Sequence, residues 1–119
     1  MKQVIYKYKL NYTTVPEIVR LPKGARIVDF GVQNSSEDIV LWALVKPIPD
    51  RIDKTGKVIH GELEERVFML AFTGQEIKGK ILEMFGTKIV EKTGIVIHLL
   101  ELDPTSVKPF DPKNDERLK

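Results

Sequence analysis

The sequence predicts a single, mainly β domain: an antiparallel β-sandwich or partly open β-barrel of about six or seven strands, with at most one short helix. Three observations carry that expectation. Apolar residues alternate with lysines on a period of two at the start of the chain, β-branched and aromatic residues gather in runs of strand length, and Gly, Pro, Asn and Asp cluster between those runs. A chain of 119 residues suits one core. The expected domain spans residues 1–103, with residues 104–119 as a loosely attached tail.

Residues 3–10 place Tyr6, Tyr8 and Leu10 on one side and Lys7 and Lys9 on the other, the pattern of a half-buried strand. After the turn-like stretch from Asn11 to Pro16, Glu17 to Leu21 forms a short strand, and Pro22-Lys-Gly24 supplies a tight turn. Residues 25–33 read as the next strand, with Gly31 marking a bulge or a close backbone approach. Asn34-Ser-Ser-Glu-Asp38 is a polar hairpin tip, and Ile39-Val-Leu-Trp-Ala-Leu-Val45 is a strand apolar enough to be covered on both faces, with Trp42 in the core.

From Lys46 to Glu65 the pattern dissolves into a long connection of the kind that is either mobile or functional. A second strand covered on both faces runs from Arg66 to Phe72 and ends at Thr73-Gly74-Gln75. Residues 76–85 are ambiguous, because Ile77, Ile81 and Phe85 fall at helical spacing while Gly79 weakens a helix; a turn followed by a strand is favoured. Residues 81–90 and 95–102 then make a closing hairpin through Glu91-Lys-Thr-Gly94, where the glycine suits a positive φ.

The charge balance, 19 basic against 17 acidic residues, is mixed along the chain, which speaks against a dedicated nucleic-acid surface. The absence of cysteine removes disulfides and thiolate chemistry. Lysines interrupt every apolar run of the opening ten residues, so these do not read as the core of a secretory signal, and no run has the length of a membrane span.

No catalytic motif is expected. His60 and His98 share no ligand spacing, so neither a metal site nor a cofactor follows, and His98 in an apolar strand reads as a hydrogen-bonded structural imidazole. Ser35, Ser36 and Ser106 lie outside any nucleophile elbow. Glu62, Glu64 and Glu65 have no apolar pocket to separate their pKa values, and Gly74 and Gly79 do not form a phosphate loop. Two groups remain as ligand candidates. Arg51, Lys57 and His60, with Arg66 just beyond, could form a basic flap over an anion, unless the neighbouring acids neutralise it. Gln33, Asn34, Thr73 and Gln75 are polar breaks that could line the mouth of a cleft, or mark where strands stop.

The run Ile-Tyr-Lys-Tyr-Lys-Leu (5–10), Leu-Pro-Lys-Gly-Ala-Arg-Ile (21–27), Val-Gln-Asn (32–34), Leu-Trp-Ala-Leu-Val (41–45), Thr73-Gly74 and His-Leu-Leu-Glu-Leu (98–102) resembles a family of small uncharacterised bacteriophage proteins. Such proteins often carry a Thr-Gly-His-Pro-like turn where this chain has Thr73-Gly74-Gln75-Glu76, which argues against a histidine-dependent role there. The resemblance implies host cytoplasm and a part in counter-defence. The resulting expectation is a non-enzymatic, homo-oligomeric protein that captures a small anionic, nucleotide-like ligand between the long loop and the strand ends. The alternative is a module that binds a host or phage protein through a strand edge or the tail.

Overall fold

The computed structural model describes residues 3–11, 14–33, 38–46, 51–59 and 61–114. Its strands are β1 (Val4–Leu10), β2 (Glu17–Pro22), β3 (Arg26–Val32), β4 (Ile39–Val45), β5 (Arg51–Ile52), β6 (Val58–Ile59), β7 (Leu63–Phe72), β8 (Ile81–Ile89) and β9 (Val96–Leu102). They form an antiparallel three-stranded sheet, β1-β4-β3, and an antiparallel four-stranded sheet, β2-β7-β9-β8. The two sheets face each other as an open sandwich and do not close into a barrel. The mainly β class therefore holds, and residues 76–80 form no helix.

The core between the sheets joins Leu10, Ile27, Phe30, Leu41, Ala43 and Val45 to Val19, Leu21, Phe68, Leu70, Ile97 and Leu99. Period-two alternation supplies it: within β4, Leu41, Ala43 and Val45 point inward. Trp42 does not belong to this core. It is half-buried on the outer face, with its ring beside Gly31. On that face Val40 is buried while Trp42 and Leu44 are only half-buried, so the expectation of two covered faces holds for β4 only in part.

For β7 the expectation holds. Phe68 and Leu70 enter the central core, while Val67, Met69 and Ala71 join Leu100 and Leu102 in a second apolar cluster on the outer face, packed against Ile18, Ile77 and Val107. That cover is made by the irregular segment after β7 and by the chain beyond β9. Gly79 lets the two meet: its φ is +110°, and a Cβ there would collide with the Val107 side chain. The other glycine signal also holds, with Gly94 at φ +71° closing the β8–β9 hairpin.

The tail expectation needs correction for residues 104–114. Asp103 caps a short 3-10 turn, Pro104–Ser106, and Lys80 N–H donates to Ser106 Oγ at 2.8 Å. Ile18 N–H donates to Phe110 C=O at 2.8 Å and Phe110 N–H to Pro16 C=O at 2.9 Å, so the tail adds a parallel bridge to the free edge of β2. Asp111 takes both guanidinium nitrogens of Arg20, at 2.8 and 2.7 Å, and Glu65 accepts from the same group. The edge of β2 and a bidentate ion pair hold this segment.

The Arg20 contact, with help from the Lys113 N–H, holds the Asp111 carboxyl down at about 2. Because the folded pKa is depressed, the clasp contributes fully above the ordinary carboxylate value of about 4 and is lost as pH falls through about 2. Hydrogen exchange of the Ile18 and Phe110 amides checks this. Their protection should persist at mildly acidic pH and disappear across that window before the β7 amides open.

The long connection is also more ordered than expected. β5 and β6 pair as a two-stranded hairpin, and Asp53 Oδ1 accepts from Thr55 N–H, Thr55 Oγ1 and Lys57 N–H to build its turn. The acids that follow face β2 and its turn: Glu62 pairs with Lys23, Glu64 accepts from Gly24 N–H, and Glu65 pairs with Arg20.

Candidate functional site

The chain leaves β4 at Val45 and re-enters the sandwich at Leu63, both at the end where β2 meets β3. The opposite end is formed by Val32 and Ile39 of one sheet and by Phe72, Ile97 and the β8–β9 turn of the other. This division separates the expected site residues. Arg66 on β7 and Thr73 just beyond its end lie about 23 Å apart, at roughly 3.3 Å per residue. Lys57 and the backbone of Arg51 belong to the β5–β6 hairpin beside the first end, whereas Gln33, Thr73 and Gln75 follow strand ends at the second. Asn34 and His60 lie outside the described residues.

Arg66 is not available to a flap. Its guanidinium donates to both Glu101 carboxylate oxygens at 2.8 and 2.7 Å and to Ala25 C=O at 2.5 Å, and it stacks 5.4 Å from the Phe68 ring centroid. The Glu101 bonds raise its pKa against the opposing effect of burial. This pair plugs the loop end of the sandwich and tethers the β2–β3 turn to β7. The other polar residues are committed as well. Gln33 accepts from Lys7 Nζ at 3.2 Å, Gln75 Oε1 accepts from Phe72 N–H at 3.0 Å, and Thr73 Oγ1 lies 2.9 Å from His98 Nε2. Thr87 Oγ1 meets the other ring nitrogen of His98 at 2.9 Å, so the imidazole ties β7, β9 and β8 together.

Where the polar breaks flank it, the second end does open into a cleft of about 690 Å³. Phe30, Val32 and Ile39 form one wall, and Leu70, Phe72 and Ile97 the other. Trp42 lines it from the three-stranded sheet, and Lys88 to Thr93 with Ile95 close the side made by the β8–β9 turn. Phe72 and Ile95 stay 41% and 44% exposed, so the apolar walls reach the rim. One charged seam crosses it: Lys88 Nζ lies 2.9 Å from Asp29 Oδ1 and 5.8 Å from the Phe30 ring centroid, bridging β8 to β3. Lys88, followed by the Phe30 N–H, holds the Asp29 carboxyl below its usual range. Glu91 and Lys92 complete the charged rim.

Residues 1–108 match a domain of unknown function, DUF7352. The chain belongs to that family. No curated protein and no solved structure matches this DUF7352 chain. Among its described residues no cluster of His, Asp or Glu is arranged to hold a metal ion, and no helix is long and apolar enough to cross a membrane.

The cleft walls of this DUF7352 domain were missed in the sequence because their residue types were assigned to the core. The available signal was Phe72, an aromatic immediately before the Thr73-Gly74 turn, together with the pair Glu91-Lys92 in the facing hairpin turn.

Proposed function

We propose that this domain is a non-enzymatic binding protein that takes a small anionic, nucleotide-like ligand into the cleft between β3 and the β8–β9 hairpin. The cleft itself carries the reading. Its volume of about 690 Å³ falls in the range of roughly 300–1,000 Å³ common for small-ligand sites. Phe30, Trp42 and Phe72 offer flat apolar surface to a planar body, and Lys88 and Lys92 bring positive charge to the rim. An anionic group that reaches Lys88 competes with Asp29, which favours a doubly charged group such as a phosphate over a single carboxylate. This places the ligand away from the long loop first considered for it. The bacteriophage resemblance supports a host nucleotide signal as the ligand, with capture inside the host cell as counter-defence.

Thermal unfolding against a panel of linear and cyclic nucleotides tests the proposal. A ligand at a thousand times its dissociation constant stabilises by about 4 kcal/mol. One member should therefore raise Tm by several degrees, and Phe72→Ala should abolish the rise. A panel that leaves Tm unmoved, or a rise that survives both Phe72→Ala and Lys88→Met, would sink it.

The other reading, a protein-interaction module, draws support from exposed strand edges rather than from the tail. Phe110, the tail's aromatic, already has its backbone paired to β2.

A further inference from the structure

A register shift in each of two strands brings Asp29 and Lys88 together at the side of the cleft. In β3 the shift lies between Ile27, opposite Ala43, and Asp29, opposite Trp42. It turns Phe30 into the core and Asp29 to the outer face, where regular alternation from Ile27 would have done the reverse. In β8 a shift lies between Met84, opposite Leu100, and Thr87, opposite His98. Leu100 belongs to the outer cluster and Ile97 to the central core, so Lys88, opposite Ile97, faces the inner side. Without that shift it would face outward. Bulges that re-aim a side chain gather beside functional sites.

The ion pair made this way adds little to the fold. The Lys88 and Asp29 side chains are 44% and 54% exposed, and a pair so open to water is weak. Asp29 has a second hold, because the same carboxylate oxygen accepts from Phe30 N–H at 2.9 Å. A carboxylate tethered to β3 stays in place when another anion draws Lys88 away on its flexible stem.

Lys88 therefore has a resident anion, and a ligand gains there only what it offers beyond Asp29. A neutral nucleoside offers nothing, and a cyclic phosphodiester, with a single negative charge, only matches the carboxylate. A terminal phosphomonoester carries a charge of about −1.5 to −2 at neutral pH and exceeds it.

We infer, building on a nucleotide as the ligand, that Asp29 selects the ligand's charge: it holds Lys88 until a terminal phosphate takes it, which narrows the ligand to nucleotides ending in a phosphomonoester. Calorimetric titration of the full chain with the common nucleoside monophosphates and their cyclic counterparts tests this. Wild type should bind at least one monophosphate about tenfold tighter than its cyclic form. Asp29→Asn keeps an oxygen for the Phe30 N–H and removes the charge, so it should tighten the cyclic form several-fold and reduce the preference to about twofold. Lys88→Met should weaken the monophosphate by about tenfold or more. A wild type without the preference, or a preference that survives Asp29→Asn unchanged, overturns the role of Asp29 and leaves nucleotide binding standing. Binding by Asp29→Asn alone would keep that role and overturn nucleotide capture by the wild type. Binding by neither overturns both.

Discussion

Phe68→Ala is expected to destabilise the fold by about 3–5 kcal/mol, the cost of a large buried aromatic lost from a site that cannot collapse. Phe68 is fully buried at the centre of β7, paired between Glu17 of β2 and Glu101 of β9. Its ring packs 6.1 Å from that of Phe85 and supports the Arg66 guanidinium. Removing it opens a cavity and strips the apolar face from a half-buried cation at the same time. Against a total of about 5–15 kcal/mol for a domain, that loss is about a fifth or more of the stability. Urea denaturation should show a lower midpoint with an unchanged slope. A loss below about 1 kcal/mol would mean that the two sheets do not pack through Phe68.

The second large effect is expected from Glu101→Ala, at about 3 kcal/mol. The Glu101 and Arg66 side chains are 11% and 17% exposed, so removing the carboxylate leaves a guanidinium with little access to water and only the weaker attraction of Glu64, at 3.9 Å, and of Glu83. The cost comes from stranding the charge rather than from losing an attraction. Arg66→Met combined with Glu101→Leu should therefore recover most of it. Equal destabilisation by the single and double variants would show that the pair matters through its bonds to the β2–β3 turn, where Ala25 C=O accepts from Arg66. Denaturant midpoints of the two variants distinguish the outcomes.

The same residues show how far the sequence could be read. Strands were legible wherever one face is wet: the period-two signal in β1 and the two buried runs in β4 and β7 gave element type and order, and Gly94 marked its hairpin. Which side of a strand finds cover was not legible, because that depends on chain far away in sequence. β4 and β7 are equally apolar, yet among the described residues it is the outer face of β7 that gains an apolar cluster, with Ile77 and Val107 packed on it. Arg66 looked like part of a basic flap because Glu101, the group that claims it, lies two strands along the sheet order from β2 and far along the chain.

The site was legible only as two polar flanks. Gln33 and Thr73 do fall at the same end of the sandwich, one residue beyond the cleft residues Val32 and Phe72. The working surface between them is apolar, and apolar residues in strands carry no sequence mark that distinguishes a cleft wall from a core. Asp29 and Lys88 meet only because β3 and β8 adjoin across the open seam of the sandwich.

Trp42 is the single tryptophan and lines the cleft, so its fluorescence is the most direct reporter of an occupant. Titration with mono-, di- and cyclic nucleotides should give one ligand that changes the emission saturably, with the change lost in Phe72→Ala. Emission that no nucleotide alters would contradict the account and leave the cleft as an unoccupied end of the sandwich.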